Sequence, residues 1–593
     1  MKKIALFFVL FLFFPKLIFA SDKFAVSSDI TYEFLASEGA LVNHEVTIAN
    51  ATTEFQANYY TLSLSGVNIS KVKAYSEGKE LKVEVSSGDV TNIKIHFDKP
   101  VVGFGKSRKF NLEYLDSSVV KQAGDLFEIL VPKLNIKDSS SYLVKMVVPK
   151  SFGELAYMSP SPKNSIEKED FVIYYFDGNL LTTSGVAAAF GKFQVFSFDL
   201  TYRLQNPLAI PARLKIALPP DTSYQRVFYE SVNPKPKHIL IDSDGNWIAE
   251  YNLSARERVD VRAVGSVQIF AFPWKLEAYS EANLSSTKYW QADETEIKSL
   301  AQKLKTPKEI YDYVVSTLSY NYERVRYGVQ RKGAIGALKN PNDSICTEFT
   351  DLFIAIARAA GIPAREINGF AYTDNASLMP LSLVADVLHA WPEYWDNEKG
   401  VWVPVDPTWG KTTGGVDYFS KFDMRRVTFV IHNKDSENPI PPGSYKLGAN
   451  PQKDVFVNLG SLPEILQNTP IISIKQKTSL PFQGLKLVAE IENIGPSALY
   501  NQSLELFFDG KKEYENMIST ILPYEKKTLE FTMPYGFLGR SMPSRAEVVV
   551  GGGFGEFQTN RNPGQIRDIS ALVLAIVFFS FGVYVIFKKR AMY

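Results

Sequence analysis

The stretch NDSICTEFTDLFIAIARAAGIPAREINGF, residues Asn342 to Phe370, decides how this chain is read. It holds Cys346, the only cysteine among 593 residues. Phe349, Leu352, Phe353, Ile356 and Ala360 recur at helical spacing, Gly361 ends the run, and Pro363 forbids its continuation. Cys346 lies three residues before Phe349, so the spacing puts it on the inward face of the first turn, with Asp343 or Ser344 as cap. A thiolate there is favoured by the helix macrodipole and by backbone N–H groups without intrahelical partners. The same N–H groups, that of Cys346 included, can hold an oxyanion. A single thiol has no internal disulfide partner; it is either a small buried apolar group or a reactive one.

A base for that thiol stands further on, in LHAWPEYWDNEKGVWVPVDPTWG, residues 388–410. This reads as two strands around a turn from Asn397 to Gly400. If Asp396 faces Val401, Trp391 faces Asp406, and His389, two residues from Trp391, shares its face. The imidazole of His389 and the carboxylate of Asp406 are then diagonal neighbours within hydrogen-bond reach. Such a carboxylate fixes the histidine tautomer and stabilises the imidazolium. Nucleophile, base and orienting acid thus fall in one segment in the order Cys346, His389, Asp406. Trp391, Trp395, Trp402 and Trp409 read mostly as core aromatics, Glu348 and Asp351 as helix-start charges, and Arg365 as a locally paired cation.

The motifs CTEFTDLFIAIARAAGIPAREINGFAY, LHAWPEYW and GVWVPVDPTWG resemble the core of the transglutaminase-like superfamily, whose fold is related to papain-like cysteine proteases. The likeness covers roughly residues 293–432. It implies Cys346 as nucleophile, His389 as general base and Asp406 as its orienter. Ser344 stands where many members have glycine. No tryptophan lies between Trp290 and Trp391, so the upstream tryptophan that some transglutaminases use as oxyanion donor has no counterpart here. No calcium cage is evident, and neither a metal nor another cofactor is expected. The segment YRLQNPLAIPARLKIALPPDTSYQ, residues 202–225, is similar to domains that precede such cores in bacterial and archaeal surface proteins.

Around this centre the chain reads as several units, as its length requires. Residues 21–120 and 121–275 alternate apolar and polar residues and predict two β-rich domains. VNHEVTI and TNIKIHF show the alternation, and Asp244-Gly245 sits in a hairpin turn rather than a calcium loop. His44, His96 and His238 have no clustered partners. Residues 285–435 form the α+β core. Thr306, Pro307 and Glu309 announce one of its helices with a capping box. A Pro-rich linker, 436–468, leads to an immunoglobulin-like β-sandwich at 469–555.

The ends assign a compartment. Residues 1–20 have the charged start, apolar run and small terminal residue of a signal peptide. Residues 569–587 are uncharged and long enough to span a bilayer, and Lys588, Lys589 and Arg590 follow. The expected protein is single-pass in the cell membrane. The bulk of the chain lies outside, the C-terminus in the cytoplasm, and asparagines 50, 68 and 252 stand in glycosylation triplets. Lys and Arg exceed Asp and Glu by 65 − 64 = 1, which offers nucleic acid nothing. One span does not make a transporter. Two functions follow: a thiol enzyme acting on protein or peptide amides by hydrolysis or acyl transfer, or a non-catalytic surface scaffold using the central domain to bind protein. The oligomeric state is not legible.

Overall fold

The computed structural model describes residues 23–590, apart from 37–38, 89, 133–140, 179–180, 182–184, 327–328, 374–385, 387, 414–415, 421–422, 448–451 and 478–479. The expected signal peptide lies outside the described residues. The chain divides into two compact units, one ending at Gly191 and one beginning at Lys192.

The first unit is built of strands. Phe24–Leu35 pairs antiparallel with Gly39–Asn50 and parallel with Ser141–Pro149, inside one eight-stranded sheet that extends to Phe171–Asp177. The strand-rich character expected from the alternation is present, but a division near residue 121 is not where the chain parts. Strands from both sides of that point hydrogen-bond in the same sheet, and Ile30, Val42, Phe110, Val144 and Phe176 share one apolar core. Local alternation names strands without naming their partners, so a long-range pairing such as Tyr32 with Met146 was not legible. Asn50 is buried, its amide donating to the carbonyls of Phe55 and Val101, so that triplet cannot carry a sugar.

In the second unit, Phe193–Gln205 pairs with Arg258–Phe270 on one side and with Val455–Leu459 on the other. The segment expected to be a linker, 436–468, therefore supplies a strand to the sheet that precedes the core. Its return is locked by Lys446, whose ammonium pairs with the buried carboxylates of Asp386 and Asp454. Proline and glycine punctuation signals turns, but it carries no information about a five-residue strand between them.

The core hung between those two strands has, among the described residues, five helices: α1 (Thr295–Ala301), α2 (Pro307–Thr317), α3 (Gly333–Lys339), α4 (Cys346–Ala359) and α5 (Pro407–Thr412). Its antiparallel sheet has strands β1 (Ala364–Ala371), β2 (His389–Asp396), β3 (Val401–Pro404) and β4 (Arg426–His432), in the order β3-β2-β1-β4. Helix α4 is buried almost throughout, with Phe349, Leu352, Phe353 and Ile356 at the centre of the apolar core. Thr306 caps α2 as expected, accepting from Glu309 N while Glu309 reaches back. Helix α3 had no clear periodic signal, being short and rich in glycine and alanine.

The free edge of β4 is covered by side chains of the preceding β region. The Gln225 amide accepts from Thr428 N at 2.8 Å and donates to Thr428 O at 2.9 Å. Asn246, in the turn Asp242–Asn246, does the same to Ile431 at 2.7 and 2.8 Å. Two amide side chains thus copy the ladder of an absent strand and hide an edge that would otherwise invite pairing. A seven-stranded C-terminal β-sandwich encloses Leu487, Leu506 and Val548, and an apolar helix, α6 (Arg561–Arg590), closes the described chain. Asn246→Leu leaves the Ile431 N–H and C=O buried without partners. The expected cost is about 1–3 kcal/mol per orphaned group, read as an earlier unfolding transition in urea, with Gln225→Leu behaving alike.

Candidate active site

The site begins where α4 begins. Cys346 is the first helical residue, a free thiol only 6% exposed. Ile345, with extended backbone, occupies the cap position in place of the expected Asp343 or Ser344. A charge in the first turn does the capping instead. Glu348 accepts from Ile345 N at 3.0 Å and from Lys332 N at 2.9 Å, and pairs with Arg324 at 3.1 Å. Asp343 holds Asn321 Nδ2 and the Lys332 ammonium. Asn321 N bonds Ser344 O at 2.8 Å, and Tyr320 bridges Ser344 in parallel, which sets the Tyr320 ring on Phe349. Its hydroxyl is held well above its ordinary range by burial and then by the neighbouring Cys346.

His389 opens β2, directly after Leu388, whose carbonyl lies 4.0 Å from the Cys346 sulfur. The imidazole is 1% exposed and stacks between Trp391 and Trp409, with centroids at 5.9 and 5.2 Å. Its Nε2 is 2.7 Å from Asp406 Oδ2, and Cys346 is near enough to act on the charge of the ring. Those aromatic walls fix the ring plane, so Trp391 and Trp409 are core residues that also aim the imidazole. Gly369 stands opposite His389 at a bulge, where a Cβ would sit 2.1 Å from Val427 O. Only glycine admits β4 that close.

Asp406 reaches the imidazole by a route partly foreseen. The hairpin has the expected register, Asp396 opposite Val401, and Val405 N still bonds Pro392 O at 3.1 Å. Then the strand stops: Asp406 is the N-cap of α5, its Oδ1 accepting from Trp409 N at 2.9 Å, with Pro407 at the first helical position. Sequence reading missed the third partner. Arg426, from β4, donates to Asp406 Oδ2 at 2.8 Å, pairs with Asp423 and lies 4.5 Å over the Trp409 ring. The Arg425-Arg426 pair ahead of an apolar strand was the available signal, but nothing local ties it to a residue twenty positions upstream. Trp290, upstream of the thiol, gives its indole N–H to Asp351 at 2.9 Å and is engaged there. Arg365 pairs with Glu393 and Glu277.

The electrostatics follow from this packing. Burial alone lowers the His389 pKa, but the charge and hydrogen bond of Asp406, with those of Cys346, push it up to about 9. Burial opposes ionisation of Asp406 too, yet His389 and Arg426 hold it down at about 2. The site is thus set for an ionised carboxylate beside an imidazolium over the neutral range. Deep placement also shields a lone thiol from oxidants. Among the described residues no cluster of three or more His, Cys, Asp and Glu is placed to hold a metal.

Residues 292–407 match the transglutaminase-like superfamily. A protein-glutamine gamma-glutamyltransferase of Pseudomonas aeruginosa is 25% identical over 181 residues, 28% of this chain and 26% of its own length. The match therefore spans about a quarter of that relative. A candidate cysteine protease from Cytophaga hutchinsonii overlays 46% of this chain and 91% of its own, at 18% identity and a TM-score of 0.32. The periplasmic domain of TgpA from P. aeruginosa overlays 37% and 91%, at 15% identity and a TM-score of 0.22.

Because His389 has a raised folded pKa, its contribution to stability is complete below about 6.5 and is lost as pH rises through about 9. Asp406, depressed, contributes above about 4 and loses that contribution as pH falls through about 2. Melting temperature against pH should fall on both sides of this window. His389→Gln should flatten the alkaline limb, whereas an unchanged alkaline limb in that variant would contradict the assigned coupling.

Proposed function

We propose, with residues 292–407 as a transglutaminase-like domain for premise, that the chain is a membrane-anchored thiol enzyme acting outside the cytoplasm on protein or peptide amides. One observation carries the reading: a buried imidazole held at 2.7 Å by a buried carboxylate, opening the strand whose preceding carbonyl, that of Leu388, lies 4.0 Å from the thiol at the start of a buried helix. Cys346 and His389 stand as a thiolate–imidazolium pair, the thiol's proton carried on Nδ1, and the thiolate attacks the carboxamide carbon. The resulting oxyanion lies near the Cys346 backbone N–H, where the helix field favours negative charge. Tyr320, whose ring packs on Phe349 one turn from Cys346 and whose hydroxyl is kept protonated by burial, is the side chain we assign as second donor in place of a tryptophan. Collapse of the adduct breaks the C–N bond, the imidazolium protonates the departing amine, and a thioester remains on Cys346. A water or an amine, deprotonated by His389, then attacks that thioester and regenerates the thiol. Water makes the reaction hydrolysis; a primary amine makes it acyl transfer. Asp406 holds the imidazole in place and stabilises its charge, and Arg426 keeps that carboxylate ionised and fixed.

Anchoring is read from α6. The candidate span Gly564–Lys588 contains the uncharged run that begins at Ile569, whose large apolar side chains are exposed, and the basic cluster at 588–590 supports a cytoplasmic end.

The test is incubation of the protein with amide-bearing proteins and a labelled primary amine, tracking label, ammonia and new termini together. Label without new termini means transfer, ammonia alone means deamidation, and new termini mean proteolysis. Cys346→Ala should abolish each signal, and Asp406→Asn should reduce the rate by up to about 10⁴-fold. Partner capture that survives Cys346→Ala, with no covalent turnover in the parent protein, would leave the scaffold function in its place. A second expectation is rapid alkylation of Cys346 below neutral pH that slows sharply in His389→Ala.

A further inference from the structure

The base of the C-terminal sandwich is fastened to α6 at a defined height. Phe482 N donates to Asp568 Oδ1 at 3.0 Å. Arg567 pairs with Asp568 and lies 5.7 Å from the Tyr535 ring centre, and Gln565 Nε2 bonds Leu538 O at 3.0 Å. Gly564 admits this contact, since a Cβ there would meet the Tyr535 hydroxyl at 2.9 Å. Two loops of the sandwich, around 480–483 and 535–541, therefore sit beside residues 564–568. The uncharged run begins at Ile569.

Leu480 and Phe482, at the tip of the first loop, are 66% and 49% exposed. Phe482 also has a φ of +61°, and Leu538 in the second loop a φ of +52°. Left-handed backbone is costly for such side chains and persists where surrounding contacts enforce it. Here the enforcing contacts are those to α6. Asp568 explains itself in the same way. A carboxylate next to a lipid-embedded run is expensive unless it is used. This one is buried, paired with Arg567, and satisfies the Phe482 N–H, a backbone donor that would be left unmet if the tip entered a water-poor layer.

We propose that the loop tip Leu480-Pro481-Phe482 is a membrane-docking surface. It seats in the headgroup–acyl boundary of the outer leaflet around α6, so that the sandwich rests on the bilayer rather than swinging above it. The occupant is lipid because the tip is fixed within one helical turn of the start of the apolar run, and apolar side chains at that height meet the interface. The inference rests on the reading of α6 as a span.

The single native thiol makes the test direct. In a Cys346→Ala background, one cysteine at a time is introduced at Leu480, Phe482, Glu398 and Phe578, and the full chain is spin-labelled and reconstituted in phosphatidylcholine vesicles. Collision rates with oxygen and with a water-soluble nickel complex give the depth of each label. Labels at 480 and 482 should report a depth of about 5–10 Å, between the aqueous value at 398 and the bilayer-centre value at 578. Labels at 480 and 482 as aqueous as 398, with 578 at the bilayer centre, would overturn the docking surface and leave the span standing. An aqueous label at 578 would remove the span, and the docking surface with it.

Discussion

The structure of the site depends on one carboxylate doing three things with two oxygens. Asp406 Oδ1 caps α5 through Trp409 N, and Oδ2 is shared by His389 Nε2 and the Arg426 guanidinium. The first bond fixes where the side chain sits, because a capping geometry leaves the carboxylate little freedom. The second orients the imidazole. The third brings a fixed positive charge from β4, at the opposite edge of the sheet from the hairpin that carries Asp406. Removing one partner of a pair this deep leaves a buried charge uncompensated, and that penalty holds the carboxylate to its partners. With Oδ1 on Trp409 N and Oδ2 on His389 and Arg426, turning the carboxylate breaks these bonds, so the imidazole keeps one partner in one orientation.

The sulfur end is braced by a second set of charges. Arg324 and Lys332 grip Glu348 and Asp343 around the first turn of α4, while Arg331 bridges Asp351 and Glu366 one turn further in, beneath Trp290. All these cations come from the segment between α2 and the early part of α3. That segment also carries Tyr320, so the same contacts that hold the helix start hold the Tyr320 ring on Phe349. The apolar face of α4 sets the depth of Cys346, and the cations set its rotation.

How far this was readable from sequence differs by element, for physical reasons. Helix α4 was legible because Phe349, Leu352, Phe353 and Ile356 obey one period and Gly361 with Pro363 ends it. The meeting of His389 and Asp406 was legible because a four-residue turn sets a hairpin register that propagates for several pairs. It was legible only in part, because Pro407 converts the end of β3 into a helix cap, and a register argument knows nothing of caps. Arg426 was beyond reach: its link to Asp406 crosses the sheet, and no turn or period relates the two positions. The same limit explains the misplaced division near 121 and the strand Val455–Leu459 hidden in a Pro-rich segment.

That hidden strand changes what the central domain is. Since Val455–Leu459 lies beside Phe193–Gln205, the chain leaves one sheet, builds the whole thiol-bearing core, and returns to the same sheet. The core is therefore held at both ends, by the Lys446 pairings at its exit and by Gln225 and Asn246 along β4. Arg426 begins that same strand. The amide ladder that seals the edge of β4 thus fixes the backbone from which Arg426 reaches Asp406. A β region that supplies none of Cys346, His389 and Asp406 sets the position of the charge that holds the Asp406 carboxylate. The precision of the imidazole–carboxylate contact is in this sense a property of the two-part assembly, and a core cut free of residues 192–270 would keep its motifs while losing the frame that aligns them.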